Sequence, residues 1–324
     1  MATVEQFVKE IARGNTRAIA RAISYMEEGG EPAQELLSML NQRAHAGIGP
    51  HIMGITGAPG AGKSSLTDQL LTYLRSCGKR IAVIAVDPSS PFTGGAVLGD
   101  RVRMNRHALD PLIFIRSMGT RGSGGGLSRS VRHALQVLYH APFDVILLET
   151  VGVGQAELDI VYVADTVTVV LTPSGGDEVQ AAKAGLMEIG DVFLVNKADL
   201  PGSANVAKDV QEMLHVTERE DGWDPPVLLS SAVKNDGVKQ WWDACEEHFA
   251  HLLQEHRLVK RRGRARVQAM HELLQQGLWR EMEHKLHEDD KYARMQEQVE
   301  IGDRSPEAAV SQILMDIFKS TLRV

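Results

Sequence analysis

An eight-residue segment near residue 60 has the residue types and spacing of a phosphate-binding loop. Its sequence is Gly57-Ala58-Pro59-Gly60-Ala61-Gly62-Lys63-Ser64, followed by Ser65. The glycines let backbone N–H groups approach phosphate oxygens, and the helix expected to follow offers its positive N-terminal end. Lys63 can reach the β and γ phosphates, and the Ser64 hydroxyl can ligate Mg²⁺. We therefore predict that residues 57–65 bind a nucleoside triphosphate and that Lys63 acts in catalysis.

A second polar segment indicates which base that nucleotide carries. Asn196-Lys197-Ala198-Asp199 directly follows the apolar run Val192–Val195, and Ser230-Ser231-Ala232 follows a later run. In an N-K-x-D arrangement the Asp carboxylate accepts from N1–H and the N2 amine of guanine, whereas adenine offers neither donor. A base that leaves a polar group of the site unpaired is rejected by up to about 10⁴- to 10⁵-fold. The pattern predicts guanine, with contacts from Asn196, Lys197 and Asp199. Ser231 and Ala232 resemble the last guanine-contacting loop of GTPases, which implies that they contact the base as well.

Three acidic residues are candidates for holding a metal ion beside the phosphates. Asp87 and Glu149 each end an apolar run, at the carboxyl edge where open α/β sheets bind ligands. Their carboxylates can hold Mg²⁺ directly or through water, although an isolated acid at a strand end is more often a helix cap. Asp100 lies in a glycine-hinged segment between them, and we expect it to ligate the metal or position water. Glu149 and Gly152 occupy the place of the Asp-x-x-Gly motif of many GTPases, whose Gly amide senses the γ phosphate.

Short apolar runs supply the elements that must position these residues. Helix-length amphipathic segments separate the runs, a pattern typical of a doubly wound α/β domain with a mostly parallel sheet. Helical periodicity precedes the runs, and a long, charged helical pattern follows them. We expect an N-terminal helical extension at 1–48, a P-loop domain at 49–237 and a C-terminal helical extension at 238–324. The predicted strands are Ile52–Thr56, Arg80–Val86, Leu112–Ile115, Val145–Leu148, Val167–Leu171, Val192–Val195 and Pro226–Leu229.

Composition and charge argue against several other classes of protein. The 324 residues include 35 basic and 42 acidic side chains, so the net charge is −7. This charge disfavours a protein built mainly to coat nucleic acid or an anionic membrane. Two cysteines form no disulfide framework and are consistent with a reducing cytosol. No apolar run has the length of a membrane span, and the N-terminus lacks a secretory pattern, so we expect a cytoplasmic protein without nucleic-acid or membrane partners.

Two further clusters of residues could suggest binding sites, but we interpret both as structural. The run 257–266 holds six basic residues, but no aromatic residues are interleaved for base stacking, which favours a solvated helix or a dimer contact. Cys245, His248 and His251 are three residues apart, and each such step turns a helix by about 300°. We therefore expect these three side chains to drift around the helix surface rather than to hold a metal.

Taken in order, these motifs resemble the MeaB/ArgK GTPases, the chaperones of adenosylcobalamin-dependent methylmalonyl-CoA mutase. The resemblance implies a Mg²⁺-dependent GTPase that hydrolyses GTP to GDP and phosphate and is stimulated by the mutase. It also implies a homodimer held largely by the helical extensions, and a metal and switch region that includes Asp87, Asp100 and Glu149. The segment 172–183 looks like an additional switch of this family. The motifs that carry the resemblance are Gly57–Ser64, Val86–Ser90, Arg116–Gly122, Gly125–Ser128, Glu149–Gln155, Thr172–Asp177 and Asn196–Asp199.

Two other functions stay open at this point. One is a kinase acting on a protein of a basic-amino-acid (arginine/ornithine) transport system, against which the guanine motif at 196–199 argues. The other is a non-hydrolytic scaffold in which GTP is a structural ligand. For the chaperone itself, nucleotide-controlled loops would gate the loading or the protection and reactivation of the mutase cofactor.

Overall fold

The computed structural model describes most of the chain. Two predicted site residues, Asp100 and Gly152, lie outside the described residues, as does most of the segment 172–183, and only the backbone of Asp87 is described. The described residues are 4–42, 48–87, 105–107, 109–119, 127, 129–150, 156–173, 185–215, 219, 221–287 and 290–321.

A seven-stranded parallel sheet forms the centre of the fold, with strand order β3-β2-β4-β1-β5-β6-β7. Each predicted apolar run coincides with one strand, and the parallel sheet with flanking helices confirms the predicted α/β fold class. The strands are β1 His51–Thr56, β2 Ile81–Asp87, β3 Ile113–Gly119, β4 Val145–Thr150, β5 Thr166–Leu171, β6 Val192–Val195 and β7 Val227–Leu229.

Helices precede, connect and follow these strands. Three 3-10 turns, Asn105–His107, Ile160–Tyr162 and Gln254–His256, and a helical stretch at 185–189 complete the described secondary structure. The α-helices are α1 Val4–Ala12, α2 Thr16–Glu28, α3 Glu31–Gln42, α4 Lys63–Ser76, α5 Arg129–Tyr139, α6 Ala156–Asp159, α7 Ser203–Leu214, α8 Val238–Leu253, α9 Arg257–His287, α10 Asp290–Glu300 and α11 Pro306–Thr321.

Both faces of the sheet are covered by helices. Alternate residues of one strand enter different cores: Ile52 belongs to the core with α1, α2, α3 and α5, whereas Met53 belongs to the core with α4 and α8. Since successive side chains of a strand point to opposite faces, burial on both faces explains why most strands carry apolar side chains on both faces. On the first face, Glu27 of α2 pairs with Arg116 of β3, which joins the N-terminal helices to the sheet.

The expectation that Cys245 and His248 lie on a helix surface is wrong. Both side chains are fully buried, because α8 packs across β5 and meets its polar residues. Thr166 Oγ1 lies 2.9 Å from His248 Nδ1, and Thr168 Oγ1 lies 3.6 Å from Cys245 Sγ. Burial lowers the pKa of His248 to about 4 and raises that of the Cys245 thiol to about 12. Polar side chains on a central strand thus gave this helix a buried polar face.

The basic run 257–266 also differs from a purely solvated helix. Arg261 pairs with Asp191 at 2.6 Å, and Arg262 pairs with Asp165 at 2.7 Å. These carboxylates directly precede β6 and β5, so the two arginines fix the start of α9 against the amino-terminal edge of the sheet.

The chain divides into two compact units, Met1–Ala265 and Arg266–Val324. The first contains the sheet and the helices through α8, together with the first residues of α9. The second contains the rest of α9 with α10 and α11, and Ala309 of α11 is buried there. The domain boundaries at 48/49 and 237/238 stay predictions. Among the described helices, none combines the length and hydropathy needed to cross a membrane.

Candidate nucleotide-binding site

The predicted phosphate-binding loop connects the end of β1 to the start of α4. Gly57 and Gly62 have φ angles of 137° and 91°, which side-chain-bearing residues rarely adopt. A Cβ atom on Gly57 would lie 2.2 Å from the Val170 carbonyl oxygen, and one on Gly62 would lie 2.3 Å from Asn196 Nδ2. Both positions therefore require glycine for conformation and for space, and the loop lies close to β5 and to the predicted base-recognition segment.

Lys63 is the first residue of α4, and its ammonium group folds back onto the loop. Nζ donates to the carbonyl oxygens of Gly57 and Ala58 at 2.5 and 3.0 Å, and the side chain is buried. The positive charge thus lies against the backbone whose N–H groups would bind phosphate. Together with the N-terminal end of a 14-residue helix, it gives the loop the electrostatics of an anion site.

Ser64 and Glu149 meet where the P-loop helix approaches the end of β4. The Ser64 hydroxyl donates to Glu149 Oε1 at 2.7 Å, and both residues are buried. This contact arises because β4 pairs directly with β1, with Ile55 opposite Glu149. A hydroxyl and a carboxylate are the hard oxygen ligands that Mg²⁺ prefers, so the two residues fit the predicted metal. Asp87 ends the adjacent strand β2, which places its backbone at the same carboxyl edge.

Asn196 connects the phosphate loop with the loop after β7. Its Nδ2 donates to the Ala61 carbonyl oxygen at 2.8 Å, while its Oδ1 accepts from the Ala232 backbone N–H at 3.2 Å. The side chain is only 2% exposed. The next residue, Lys197, has a positive φ of 60°, a strained conformation for a residue with a side chain. The predicted phosphate and base segments therefore form one hydrogen-bonded arrangement.

Asp199 and Ser231 form the predicted base-reading pair. The Ser231 hydroxyl donates to Asp199 Oδ1 at 2.5 Å, and this bond lowers the pKa of the Asp199 carboxyl. Ser231 is itself fixed by backbone hydrogen bonds in both directions with Asp236, at 3.0 and 3.1 Å. The Asp199 side chain is exposed and stays ionised at neutral pH, so it can only accept hydrogen bonds, as pairing with the two guanine donors requires.

Glu157 is a titratable neighbour that sequence reasoning missed. Burial raises the pKa of its carboxyl, and the charge of Lys63 opposes that rise, which places the carboxyl within electrostatic range of the P-loop lysine. Glu157 lies on α6, in the stretch of chain that follows Gly152. Its position after the predicted γ-phosphate sensor is the only signal in the sequence that would have pointed to it.

Comparison with known proteins agrees with this geometry. The model of a family described as the methylmalonyl Co-A mutase-associated GTPase MeaB matches residues 19–287. The chain belongs to the MeaB family. It is therefore a P-loop GTPase that binds guanine nucleotide and hydrolyses GTP to GDP and phosphate.

Relatives of this MeaB-family GTPase carry related names. The chain is 36% identical to the GTPase ArgK of Escherichia coli over 248 residues, which is 75% of each chain. It is 31% identical to the mitochondrial methylmalonic aciduria type A homolog of Mus musculus over 335 aligned positions, covering 98% of this chain and 80% of that one. A solved structure described as the LAO/AO transport system kinase is similar with a TM-score of 0.75, 25% identity and 98% coverage of both chains.

Proposed function

We propose that this MeaB-family GTPase is a Mg²⁺-dependent, homodimeric chaperone of adenosylcobalamin-dependent methylmalonyl-CoA mutase. GTP binding and hydrolysis would gate the loading of the mutase cofactor, or its protection and reactivation. The observation that carries this proposal is the match to a family described as mutase-associated, over residues 19–287. The hydrogen bonds by which Asn196 joins the phosphate loop to the loop after β7 support it. A GTPase switch needs such connections, because it must transmit the state of the bound nucleotide to the partner.

The residues of the chain would act on the nucleotide mainly by position and charge. The N–H groups of the loop 57–62 would hold the phosphates, and the Lys63 ammonium, now 2.5 Å from the Gly57 carbonyl oxygen, would move onto the β and γ phosphates. Ser64 and Glu149, with Asp87 and Asp100, would hold Mg²⁺, which when bound neutralises charge on the phosphate oxygens. Asp100 or a backbone group would orient the attacking water, and the Gly152 amide would sense the γ phosphate.

Exposed apolar residues on α9 support the proposed homodimer. Val267, Met270, Leu274 and Leu278 repeat at helical spacing along the part of α9 in the second unit, and each is more than half exposed. An exposed apolar face of this length marks a protein-interaction surface, and a second copy of the same helix offers a self-complementary partner. We expect Leu274→Glu with Leu278→Glu to give monomers in analytical ultracentrifugation. Gln276→Glu on the same helix should leave the dimer intact, and a dimer in both variants would refute this interface.

The decisive assay for the proposed function is nucleotide hydrolysis with and without the purified mutase. GTP turnover should rise when the mutase is added, and ATP turnover should remain at background. Equal turnover of ATP and GTP, or no response to the mutase, would refute the proposal. Lys63→Ala should abolish turnover, while Lys79→Ala, which lies outside the phosphate loop, should not.

A kinase function remains the second candidate because of one observation. The similar solved structure described as the LAO/AO transport system kinase covers 98% of this chain. If this chain shared that activity, labelled γ phosphate would appear on a basic-amino-acid binding protein. The third candidate, a GTP-bound scaffold, would be favoured if the hydrolysis-dead Lys63→Ala variant still bound GTP and supported the mutase fully.

A further inference from the structure

The loop that follows β7 is compact and leads directly into α8. Ser231 and Asp236 exchange backbone hydrogen bonds of 3.0 and 3.1 Å. Gly237, with a φ of 84°, closes the loop, because a Cβ atom there would lie 2.4 Å from the Leu229 carbonyl oxygen. Residues 230–237, which we call the base loop, are therefore held in one shape by their own contacts.

Two side chains connect the base loop to the phosphate loop and its helix. Asn196 accepts from the Ala232 N–H at 3.2 Å and donates to the Ala61 carbonyl oxygen at 2.8 Å. Gln69 lies on α4, and its Nε2 donates to the Ala232 carbonyl oxygen at 3.4 Å. Both backbone groups of Ala232 are thus bound, and the contacts form a closed ring that returns to Ala61 along α4 and the phosphate loop.

Apolar packing brings α4 to the same residue of the base loop. The Ala232 side chain belongs to the buried core that also contains Leu66 and Leu70 of α4. Gln69 directly precedes Leu70 on this helix and is half-buried. The helix that begins with Lys63 at the phosphate loop therefore contacts the base loop about two turns later.

The Gln69 contact should matter more for the base than for the stability of the fold. Its donor–acceptor distance of 3.4 Å is longer than the usual value of about 2.9–3.0 Å, so it contributes less to folding than a shorter bond. Because Gln69 is half-buried, water can replace its amide at the Ala232 carbonyl oxygen. The adjacent Ser231 hydroxyl donates to Asp199 at 2.5 Å, so a shift of Ala232 would displace the carboxylate predicted to read guanine.

We propose that Gln69 is a positioning residue for guanine recognition. It holds the base loop on α4, so that Asp199 and Ser231 meet the base at the correct distance and bound GDP leaves slowly. Gln69 acts through the base loop and not on the nucleotide itself, so its loss weakens contacts with the base and spares those with the phosphates. The inference rests on the proposed contacts of Asp199 and Ser231 with guanine and not on the proposed role toward the mutase.

The release of ribose-labelled fluorescent GDP and IDP from the full chain with Mg²⁺ tests this role. The two nucleotides differ in the 2-amino group, which IDP lacks and which Asp199 is predicted to bind. Gln69→Met keeps the length of the side chain but removes its donor. We expect it to speed GDP release by about two- to tenfold, the effect of losing one hydrogen bond. IDP release should rise less, so that the two rates become more alike.

A second variant and a matched control sharpen this test. Gln69→Glu places a carboxylate opposite the Ala232 carbonyl oxygen, so it should speed GDP release more than Gln69→Met does. Gln211→Met on α7 removes an exposed amide and should leave the release of both nucleotides unchanged. Equal acceleration of GDP and IDP by Gln69→Met, or the same acceleration by Gln211→Met, would overturn the positioning role.

Asp199→Ala separates this inference from the base assignment on which it rests. That variant should release GDP and IDP at nearly equal rates. Full discrimination between the two nucleotides in Asp199→Ala would refute the assignment and the role of Gln69 together. If Asp199→Ala lost the discrimination while both Gln69 variants kept the wild-type rates, the role of Gln69 alone would be refuted.

Hydrogen exchange on the GDP-bound chain gives a second readout that does not depend on rates of release. Peptides covering 230–237 should exchange faster in Gln69→Met than in the wild type, because the base loop has lost its contact with α4. Peptides covering 57–62 should exchange as they do in the wild type. Unchanged exchange in 230–237, or equally faster exchange in 57–62, would contradict the proposal.

Discussion

Removal of the Asn196 side chain tests the claim that the phosphate and base segments form one unit. Asn196 is 2% exposed and hydrogen-bonds to two different loops, at Ala61 and Ala232. Asn196→Ala deletes both bonds and leaves the Ala61 carbonyl oxygen and the Ala232 N–H without this partner. Asn196→Asp keeps the shape but places a carboxylate oxygen opposite the Ala61 carbonyl oxygen, so it should be the more damaging change.

The size of the effect follows from those two backbone groups. An unsatisfied buried donor or acceptor costs about 1–3 kcal/mol. Ala61 is 2% exposed and Ala232 is 9% exposed, so local opening can rehydrate the second more easily than the first. We therefore expect Asn196→Ala to lower the free energy of unfolding by about 2–4 kcal/mol. GDP should also stabilise this variant less than the wild type, because the loops that bind it are no longer joined.

Urea denaturation followed by circular dichroism measures both effects. The unfolding free energy is compared with and without saturating GDP, at one protein concentration because a dimer is expected. Asn205→Ala on α7 is the matched control, since that side chain is exposed and its loss should change stability by no more than about 0.5 kcal/mol. If Asn196→Ala cost no more than Asn205→Ala, and GDP stabilised both equally, Asn196 would not be the residue that joins the two loops.

Three further perturbations follow from the described contacts. Gly57→Ala should abolish GTP binding in a fluorescent-nucleotide titration, because its Cβ would lie 2.2 Å from a carbonyl oxygen. Gly60→Ala also places a side chain at a positive φ, of 73°, but its Cβ would meet no atom within 4 Å, so this variant should still bind measurably. Burial lowers the pKa of His51 to about 3 and that of His248 to about 4, so the unfolded chain binds protons that the folded chain excludes. The contribution of these histidines to the free energy of unfolding should be fully present above the unfolded pKa of 6.5. It should fall by up to about 1.4 kcal/mol per pH unit per histidine as the pH drops toward 4. In urea titrations His248→Gln should reduce that slope, and an unchanged slope would contradict this expectation. Asp191→Asn should lower the unfolding free energy by about 3–5 kcal/mol, since it removes the buried carboxylate that pairs with the half-buried Arg261 and Arg219 and leaves Arg219 only its 3.5 Å contact with Asp221. A loss under about 1 kcal/mol would be inconsistent with that pairing.

The fold was predictable from the sequence because burial on both faces leaves a simple signal. Strands such as β2 and β6 are apolar at nearly every position, and Gly-rich or acidic residues at strand ends, such as those of β1 and β2, mark the carboxyl edge. The motifs at 57–64 and 196–199 indicated two halves of the candidate nucleotide site, whose residue assignments stay predictions. Their chemistry depends on local spacing, which the sequence displays directly.

Contacts between distant residues were not predictable. Arg261 and Asp191 are 70 residues apart, and Arg262 and Asp165 are 97 apart, so nothing in the local pattern distinguishes these arginines from solvated neighbours. The prediction placed His248 on a helix surface because helical spacing shows which residues share a face. It does not show whether a second face of the helix is also buried against the sheet. The Ser231 hydrogen bond to Asp199 likewise depends on the pairing of β6 with β7.

If GTP hydrolysis by this chain sustains a cobalamin mutase, the working lifetime of the mutase must depend on that hydrolysis. The measurement is the half-life of methylmalonyl-CoA mutase activity during continuous turnover with adenosylcobalamin and GTP, in the presence of the wild-type chain or Lys63→Ala. We predict a longer half-life with the wild-type chain than with Lys63→Ala. Equal half-lives with the wild-type chain, with Lys63→Ala and with no added chain would show that GTP hydrolysis by this chain does not sustain the mutase.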